Sequence, residues 1–409
     1  VKIVYLNPTG ELGGAERSLL DFMTSLRAAD PRCSFRLIAA ADGAMVEEAR
    51  ALGAETCVLP LPPTLARLGD AGAGGPAGRG APRVLSMLGR MSLGTPSAAL
   101  YTARLRRALR AAAPDVVHTN GFKMHVLGAW AAPRGVPVLW HVHDYVSARP
   151  VMARLMRAHA DRCAAAITNS LSVAADVRAA CGPRLKVFPI YNAVDLTRFA
   201  PAGPVLDLDH LAGLPPPDEA VVRVGLVATM ARWKGHEVFL RALARLGGRP
   251  TVRGYVIGGA LYQTNGSQYQ IDELRRLARR LGLEGRVGFT GFVRDAAAAM
   301  RALDVVVHAS VQPEPFGLVI AEAMACGRAV VVSRAGGAAE IVSPGEDALV
   351  HEPGATDSLV AHLRELVRNP GLRAFLGQNA ALSARRRFAS ARLGAELLPV
   401  YQMLTAKAA

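Results

Sequence analysis

The sequence predicts two doubly wound α/β units in series, each built on a parallel sheet. Three observations carry this expectation. Short apolar runs alternate with helix-period stretches along most of the chain. The alternation stops in a proline-rich stretch after residue 195 and then begins again. The 409 residues suffice for two domains at roughly 150 residues each. Two such units facing a cleft would offer ligands the carboxyl ends of their strands.

In the first unit, residues 3–6, 35–39, 57–59, 116–118, 138–143, 165–168 and 187–190 read as strands. Most are runs of Val, Ile, Leu, Phe or Ala, the composition of strands covered on both faces. Helical spacing fills most gaps, for example at 15–29 and 45–52. The opening Lys2-Ile3-Val4-Tyr5-Leu6, followed by Asn7-Pro8, reads as a strand and not as a secretory leader. Residues 61–96 break the rhythm with Pro62-Pro63 and a glycine-rich run at 72–78, and are expected to form a flexible excursion. A helix resumes at 98–113, with Tyr101, Leu105, Ala108 and Ala112 on one face and Arg104, Arg107 and Arg110 around the other.

Residues 196–220, which include Pro215-Pro216-Pro217, read as an interdomain connection. Strands are then expected at 223–228, 254–257, 287–290, 305–308 and 329–333, and helices at 237–246, 267–281, 295–302, 317–326 and 357–368. The expected division is 1–195, then the connection, then 221–385. A C-terminal helical segment, 386–409, is expected to rejoin the first domain.

The hydrophobic fraction of 51% and charged fraction of 20% describe a core-forming chain. No uninterrupted apolar run approaches the length of a membrane span. The five cysteines are scattered, odd in number and never spaced Cys-x-x-Cys, so reduced thiols in a cytoplasm are expected and a zinc site is not. The net charge of +15 comes mostly from arginine. With only 5% aromatic residues and no zinc-finger or RNA-recognition signature, nucleic acid is not expected as a partner. The arginine-rich segment 79–110 reads either as a solvated face or as a peripheral contact with an anionic membrane surface, which would be the inner face of a membrane.

The most informative stretch is Glu314-Pro315-Phe316-Gly317-Leu318-Val319-Ile320-Ala321-Glu322. A carboxylate precedes a tight turn, the turn enters a helix, and a second carboxylate follows two helical turns later. The free amides and positive dipole of a helix N-terminus suit a diphosphate, and the second carboxylate can accept hydrogen bonds from a ribose diol. Gly13-Gly14 follows the first strand and would let backbone approach a phosphate. It is not a Gly-x-Gly-x-x-Gly dinucleotide fingerprint. Asp207-Leu208-Asp209 has metal-like spacing, but its proline-rich surroundings supply no further ligands, so no metal is expected there.

Gly13-Gly14-Ala15-Glu16, His143-Asp144, Asn192-Ala193-Val194-Asp195, Trp233-Lys234-Gly235, the Glu314/Glu322 pair and Gly336-Gly337-Ala338-Ala339-Glu340 occur in one order along the chain. In this the chain resembles retaining GT-B glycosyltransferases of the large family-four group over nearly its whole length. The resemblance implies two Rossmann-like domains facing a cleft, an acceptor on the first and a nucleoside-diphosphate sugar on the second. It implies that Glu314 receives donor-sugar hydroxyls, that the amides of Phe316, Gly317 and Leu318 meet donor sugar or phosphate oxygens, and that Glu322 holds the ribose. Lys234 would stabilise charge on the departing diphosphate. The family usually places an arginine five residues before this lysine. Thr229 stands there, and Arg232 is the candidate replacement.

His143 ends a strand and would meet the donor sugar or orient the acceptor. Gly13, Gly14 and Glu340 are implied donor-side residues. Glu16, His118 and Asn192 are expected in the acceptor region or as second-tier cleft residues. The implied reaction is sugar transfer to a hydroxyl with retained configuration, with no cofactor and no metal, in glycan, polysaccharide or glycolipid synthesis. The implied partners are a sugar nucleotide and a glycan or lipid-linked acceptor. The alternatives are a sugar-nucleotide-binding scaffold, to which Thr229 lends weight, and a nucleotide-sugar epimerase.

Overall fold

The computed structural model describes residues 1–66, 81–217, 219–247, 251–259 and 266–406, with the side chains of 81–95 excepted. The chain divides into two units, Val1–Ala193 with Ser390–Ala409, and Val194–Ala389.

The first unit runs β1 (Lys2–Asn7), α1 (Gly14–Ala29), β2 (Ser34–Ala39), α2 (Ala44–Ala51), β3 (Glu55–Val58), α3 (Pro63–Ala66), α4 (Ala81–Ala112), β4 (Val116–Asn120), α5 (Phe122–Ala131), β5 (Val138–Val142), α6 (Pro150–His159), β6 (Ala165–Thr168), α7 (Leu171–Cys181) and β7 (Val187–Pro189). Its sheet is parallel throughout, in the order β3-β2-β1-β4-β5-β6-β7. Both faces are covered. Val4, Leu6, Val117 and Trp140 pack toward α4 to α7, while Ile3, Tyr5, Val116 and Leu139 pack toward α1 and α2. This is why β1, β4 and β5 read as continuous apolar runs.

The glycine-rich run at 72–78 lies outside the described residues. The excursion expected up to residue 96 ends earlier, because α4 already begins at Ala81.

The second unit runs α8 (Leu208–Ala212), β8 (Val221–Val227), α9 (His236–Ala244), β9 (Thr251–Ile257), α10 (Ile271–Arg280), β10 (Val287–Gly291), α11 (Ala296–Arg301), β11 (Val305–His308), α12 (Leu318–Ala325), β12 (Ala329–Ser333), β13 (Leu349–His351), α13 (Thr356–Arg368) and α14 (Pro370–Phe388). Its sheet is also parallel, in the order β10-β9-β8-β11-β12-β13. The helix expected at 267–281 starts only at Ile271. Gln268 bridges to Ala231 and the Tyr269 amide donates to the Met230 carbonyl, so these residues brace the loop after β8.

The stretch 196–220 packs as part of the second unit. Asp207 caps α8, and Asp209 is buried with its carboxylate 2.6 Å from Arg253, 3.0 Å from Arg223 and 2.6 Å from the Tyr255 hydroxyl. That carboxylate is thus spoken for by cations of its own chain.

The segment 386–409 is two pieces. Residues 386–388 end α14, and a separate helix α15 (Ala391–Ala406) belongs to the first unit. Leu393, Leu397, Val400, Tyr401 and Leu404 of α15 join Leu19, Phe22, Met23 and Leu26 of α1 in one core. Each such fully buried aliphatic side chain contributes about 1.5–3 kcal/mol. Arg392 fastens the helix start by donating to the carbonyls of Tyr191 and Asn192.

Candidate functional site

In the second sheet β8 has β9 on one side and β11 on the other, so strand order reverses there. The loops after β8, β11 and β12 converge at that point. The loop after β8 makes a 3-10 turn over Arg232–Lys234 and leaves it through Gly235, which is left-handed at φ 76°. A Cβ at Gly235 would fall 1.8 Å from the Ala309 carbonyl oxygen, so only glycine allows this approach. The Val311 amide donates to the Trp233 carbonyl at 2.8 Å. Lys234 is thereby pinned beside the end of β11.

Lys234 Nζ lies 2.6 Å from Glu314 Oε2 and 4.0 Å from the centre of the Trp233 ring. The same carboxylate oxygen accepts from Ser310 Oγ at 3.1 Å and meets His308 Nε2 at 3.2 Å. Both members of the ion pair are mostly buried, at 16% and 10% side-chain exposure. Burial alone would push the Glu314 carboxyl up. The Lys234 charge and the His308 contact outweigh it and hold the pKa down to about 2. Glu314 is therefore an ionised, strongly held carboxylate at neutral pH.

The main chain around it is equally constrained. Glu314 N donates to the Ala335 carbonyl at 3.2 Å, and Gly337 N donates to the Glu314 carbonyl at 2.7 Å. A Cβ on Gly337 would fall 2.2 Å from the Pro315 carbonyl oxygen. Gly336-Gly337 thus stitches the loop after β12 onto Glu314–Gly317. Gly317, left-handed at φ 92°, delivers the chain into α12, whose first residue is Leu318. Phe316 is buried edge-on to Phe388, with ring centres 5.9 Å apart. Glu322 is half-buried on α12. Glu340 follows a 3-10 turn, and its carbonyl accepts from Arg387 Nη2 at 2.5 Å.

Arg232 does not join this group. Its guanidinium donates to the Gly266 carbonyl at 2.9 Å, pairs with Glu273 at 3.0 Å and lies over the Tyr269 ring. There it braces the loop before α10.

In the first sheet the order reverses at β1, which lies between β2 and β4. Gly13 is the N-cap of α1, and its amide donates to the Glu16 carboxylate at 3.1 Å, the half of a capping box that needs no N-cap side chain. Glu16 is buried, and that burial raises its pKa. Gly14 is exposed, and a Cβ there would meet nothing within 4 Å, so the protein's own packing does not require glycine.

His143 follows β5, and its Nε2 lies 2.7 Å from Asn120 Oδ1 at the end of β4. Asn120 Nδ2 in turn donates to Asn7 Oδ1 at 2.7 Å. Burial pushes the His143 pKa down to about 3, so the ring is neutral. Asn192 is buried and accepts from Ser18 Oγ at 2.9 Å, linking the polar turn to α1.

His118 is corrected to a core residue. It is fully buried, its Nδ1 lies 2.5 Å from the Tyr401 hydroxyl, and it packs against Tyr5, Phe22 and His141. Asn7, Asn120, His308 and Ser310 were not singled out from the sequence. Their signal is modest: each is a polar residue at or just beyond the carboxyl end of an apolar strand.

Among the described residues, no group of three or more His, Cys, Asp or Glu side chains could hold a metal ion, and no helix is long and apolar enough to cross a membrane.

Comparison with known proteins agrees with this geometry. Residues 12–198 match the family model described as Glycosyltransferase Family 4, and residues 221–369 match that of Glycosyl transferases group 1. A D-inositol 3-phosphate glycosyltransferase of Acidothermus cellulolyticus is 30% identical over 315 residues, which cover 70% of this chain and 67% of that protein. A lipopolysaccharide core biosynthesis mannosyltransferase, LpcC, of Rhizobium leguminosarum is 31% identical over 215 residues, 53% of this chain and 59% of that one. The chain spans about half to two thirds of the length of the curated relatives it matches. The crystal structure of Anabaena Alr3699/HepE, solved with UDP and with UDP-glucose, superposes with a TM-score of 0.77 for the UDP form at 27% identity, covering 98% of this chain and 100% of that one. The chain belongs to glycosyltransferase family 4, the retaining, nucleotide-sugar-dependent glycosyltransferases of GT-B fold.

Proposed function

We propose that this chain transfers a hexosyl group from a nucleoside-diphosphate sugar to a hydroxyl of a glycan or lipid-linked acceptor, without a metal ion. The observation that carries the reading is the Lys234–Glu314 pair, 2.6 Å apart, beside the turn at Phe316–Gly317 that opens α12. The Lys234 ammonium has three donors, and Glu314 takes one. The others are proposed to hold the diphosphate as it leaves, a charge that grows in the transition state. Glu314 is the acceptor for hydroxyls of the transferred sugar, with Phe316, Gly317, Leu318 and Glu340 around it, and Glu322 takes the ribose. On the first unit, His143, Gly13, Gly14 and Glu16 are proposed to face the sugar and its acceptor, with Asn192 behind them.

The open space at Gly14 supports this part of the reading, since none of the described residues comes within 4 Å of a Cβ placed there. Metal independence is supported by Asp209, whose carboxylate is taken by Arg253, Arg223 and Tyr255. HepE is solved with UDP-glucose, which makes a uridine diphosphate hexose the first donor to test. A cytoplasmic chain meeting an anionic membrane through its arginine-rich segment 79–110, of which residues 79–80 and the side chains of 81–95 lie outside the described residues, completes the proposal.

The test is a panel of sugar nucleotides scored for thermal stabilisation and then for release of nucleoside diphosphate, with and without a chelator. One donor should stabilise and turn over equally in both conditions. Turnover abolished by the chelator and restored by a divalent cation would overturn metal independence, and tight donor binding without any turnover would overturn catalysis.

A further inference from the structure

Four residues of the first unit, from three separate stretches of chain, form a single file of hydrogen bonds that ends on His143. The file begins at a group with no choice of role, the backbone carbonyl of Thr9, which can only accept. Asn7 Nδ2 donates to it at 2.7 Å. The Glu16 carboxylate also accepts from the Asn7 side chain. With its amino group committed, Asn7 turns its oxygen toward Asn120 and accepts from Asn120 Nδ2 at 2.7 Å. Asn120 must then present its own oxygen to His143, where Nε2 stands 2.7 Å away. An amide oxygen accepts and never donates. The proton of the neutral ring therefore sits on Nε2, and Nδ1 keeps its lone pair.

Nδ1 has no hydrogen-bond partner among the described residues. The ring is also fixed from its faces, since it lies 3.9 Å, centre to centre, from His141, which stacks on Phe22 at 4.3 Å. Asn7 and Asn120 are themselves fully buried, at 0% exposure. Burying two amides in the core is costly unless every polar group is matched. Here the match runs in one direction only.

We propose that Asn7 and Asn120 are positioning residues that lock His143 as the Nε2–H tautomer, so that Nδ1 acts as a hydrogen-bond acceptor for a sugar hydroxyl. The role at a hydroxyl rests on the proposed function; the locked tautomer does not. A histidine free to exchange tautomers would offer a donor to the same hydroxyl for part of the time, and a ring with the proton on Nδ1 would repel a hydroxyl hydrogen.

The experiment is a long-range proton–nitrogen correlation spectrum of the full-length, ligand-free chain labelled with 15N-histidine at pH 7, in which His143→Gln identifies the His143 signals by their loss. The expected native pattern is protonated Nε2 and unprotonated Nδ1. Asn120→Ala removes the acceptor and should give a tautomer mixture. Asn7→Ala does not touch His143, yet it frees the Asn120 amide to turn over and should also give a mixture. Both variants should lower kcat by about tenfold, the rate equivalent of one hydrogen bond gained in the transition state, with the KM for the donor nearly unchanged.

A native Nδ1–H tautomer, or a native mixture, overturns the relay even where neither variant folds. An Asn7→Ala spectrum identical to that of the native chain also overturns it. Tautomers that shift as stated while His143→Gln keeps full turnover would overturn the role in transfer and leave the lock standing, so the two failures are told apart.

Discussion

Lys234→Met removes the ammonium and keeps most of the aliphatic stem that crosses Trp233. What remains is a carboxylate at 10% side-chain exposure, with Ser310 and His308 beside it but without the ammonium. Breaking a buried pair from one side costs about 3–5 kcal/mol, because the other charge is left without compensation. The native chain supplies a second route to the magnitude. Folding lowers the Glu314 pKa from 4.5 to about 2, which is worth about 3 kcal/mol at neutral pH. The sign follows from the depressed carboxyl. This stability is fully present above pH 4.5 and drains away as pH falls from there toward 2. In the variant, burial acts with less opposition, so the Glu314 pKa rises and the penalty vanishes once the group is protonated.

The loss in Lys234→Met should therefore be large at pH 7 and shrink steadily on acidification. Urea unfolding, read by exchange protection of α12 and β11 amides across a pH series, measures it in the unit concerned. Glu314→Gln and the double variant complete a cycle, with an expected coupling of about 1–3 kcal/mol. Turnover of the folded Lys234→Met protein should drop about 10²- to 10³-fold, as for removal of one preorganised donor to a developing anion. A native unfolding midpoint with a native pH profile would refute the pairing, and native turnover would refute its use in transfer.

Two further tests separate glycines and charges by role. Gly235→Ala should cost about 3–5 kcal/mol by urea midpoint, from a positive φ and a collision with Ala309, whereas Gly14→Ala should hold or raise stability by up to about 1 kcal/mol and still weaken sugar-nucleotide turnover. Asp209→Ala should destabilise the second unit by about 3–5 kcal/mol by orphaning Arg253 and Arg223. Burial would raise the Asp209 pKa, but the hydrogen bonds from Tyr255, Arg253 and Arg223 hold it below 3.8, so the loss on mutation should diminish as pH falls below that value.

What could be read from the sequence was whatever a residue's near neighbours decide. Strands covered on both faces announce themselves as apolar runs, and Glu314, Phe316–Leu318 and Glu322 reach one place through a single turn and helix. Two of the elements that escaped did so because their local signal is weak. β13 is three residues long, and α14 buries Gly377, Ala380, Ala381 and Ala384 beside Leu376 and Phe388, a face too poor in large apolar side chains to mark its period. The pairing of Arg232 was not legible for a different reason. Arg232 is claimed by Glu273, 41 positions away, and no spacing rule links the two.

His118 lies in the middle of β4 and His143 just past the end of β5, and one is sealed by Tyr401 from α15 while the other is not. In a sheet covered on both faces, all five residues of β4 are buried, so alternation along the strand cannot separate a core histidine from a functional one. Only the partner of the ring nitrogen separates them. For His143 that partner is an amide whose own orientation is set two residues' reach away, at Thr9. The chemistry of this histidine is thus decided by a carbonyl that its neighbours in sequence do not contain.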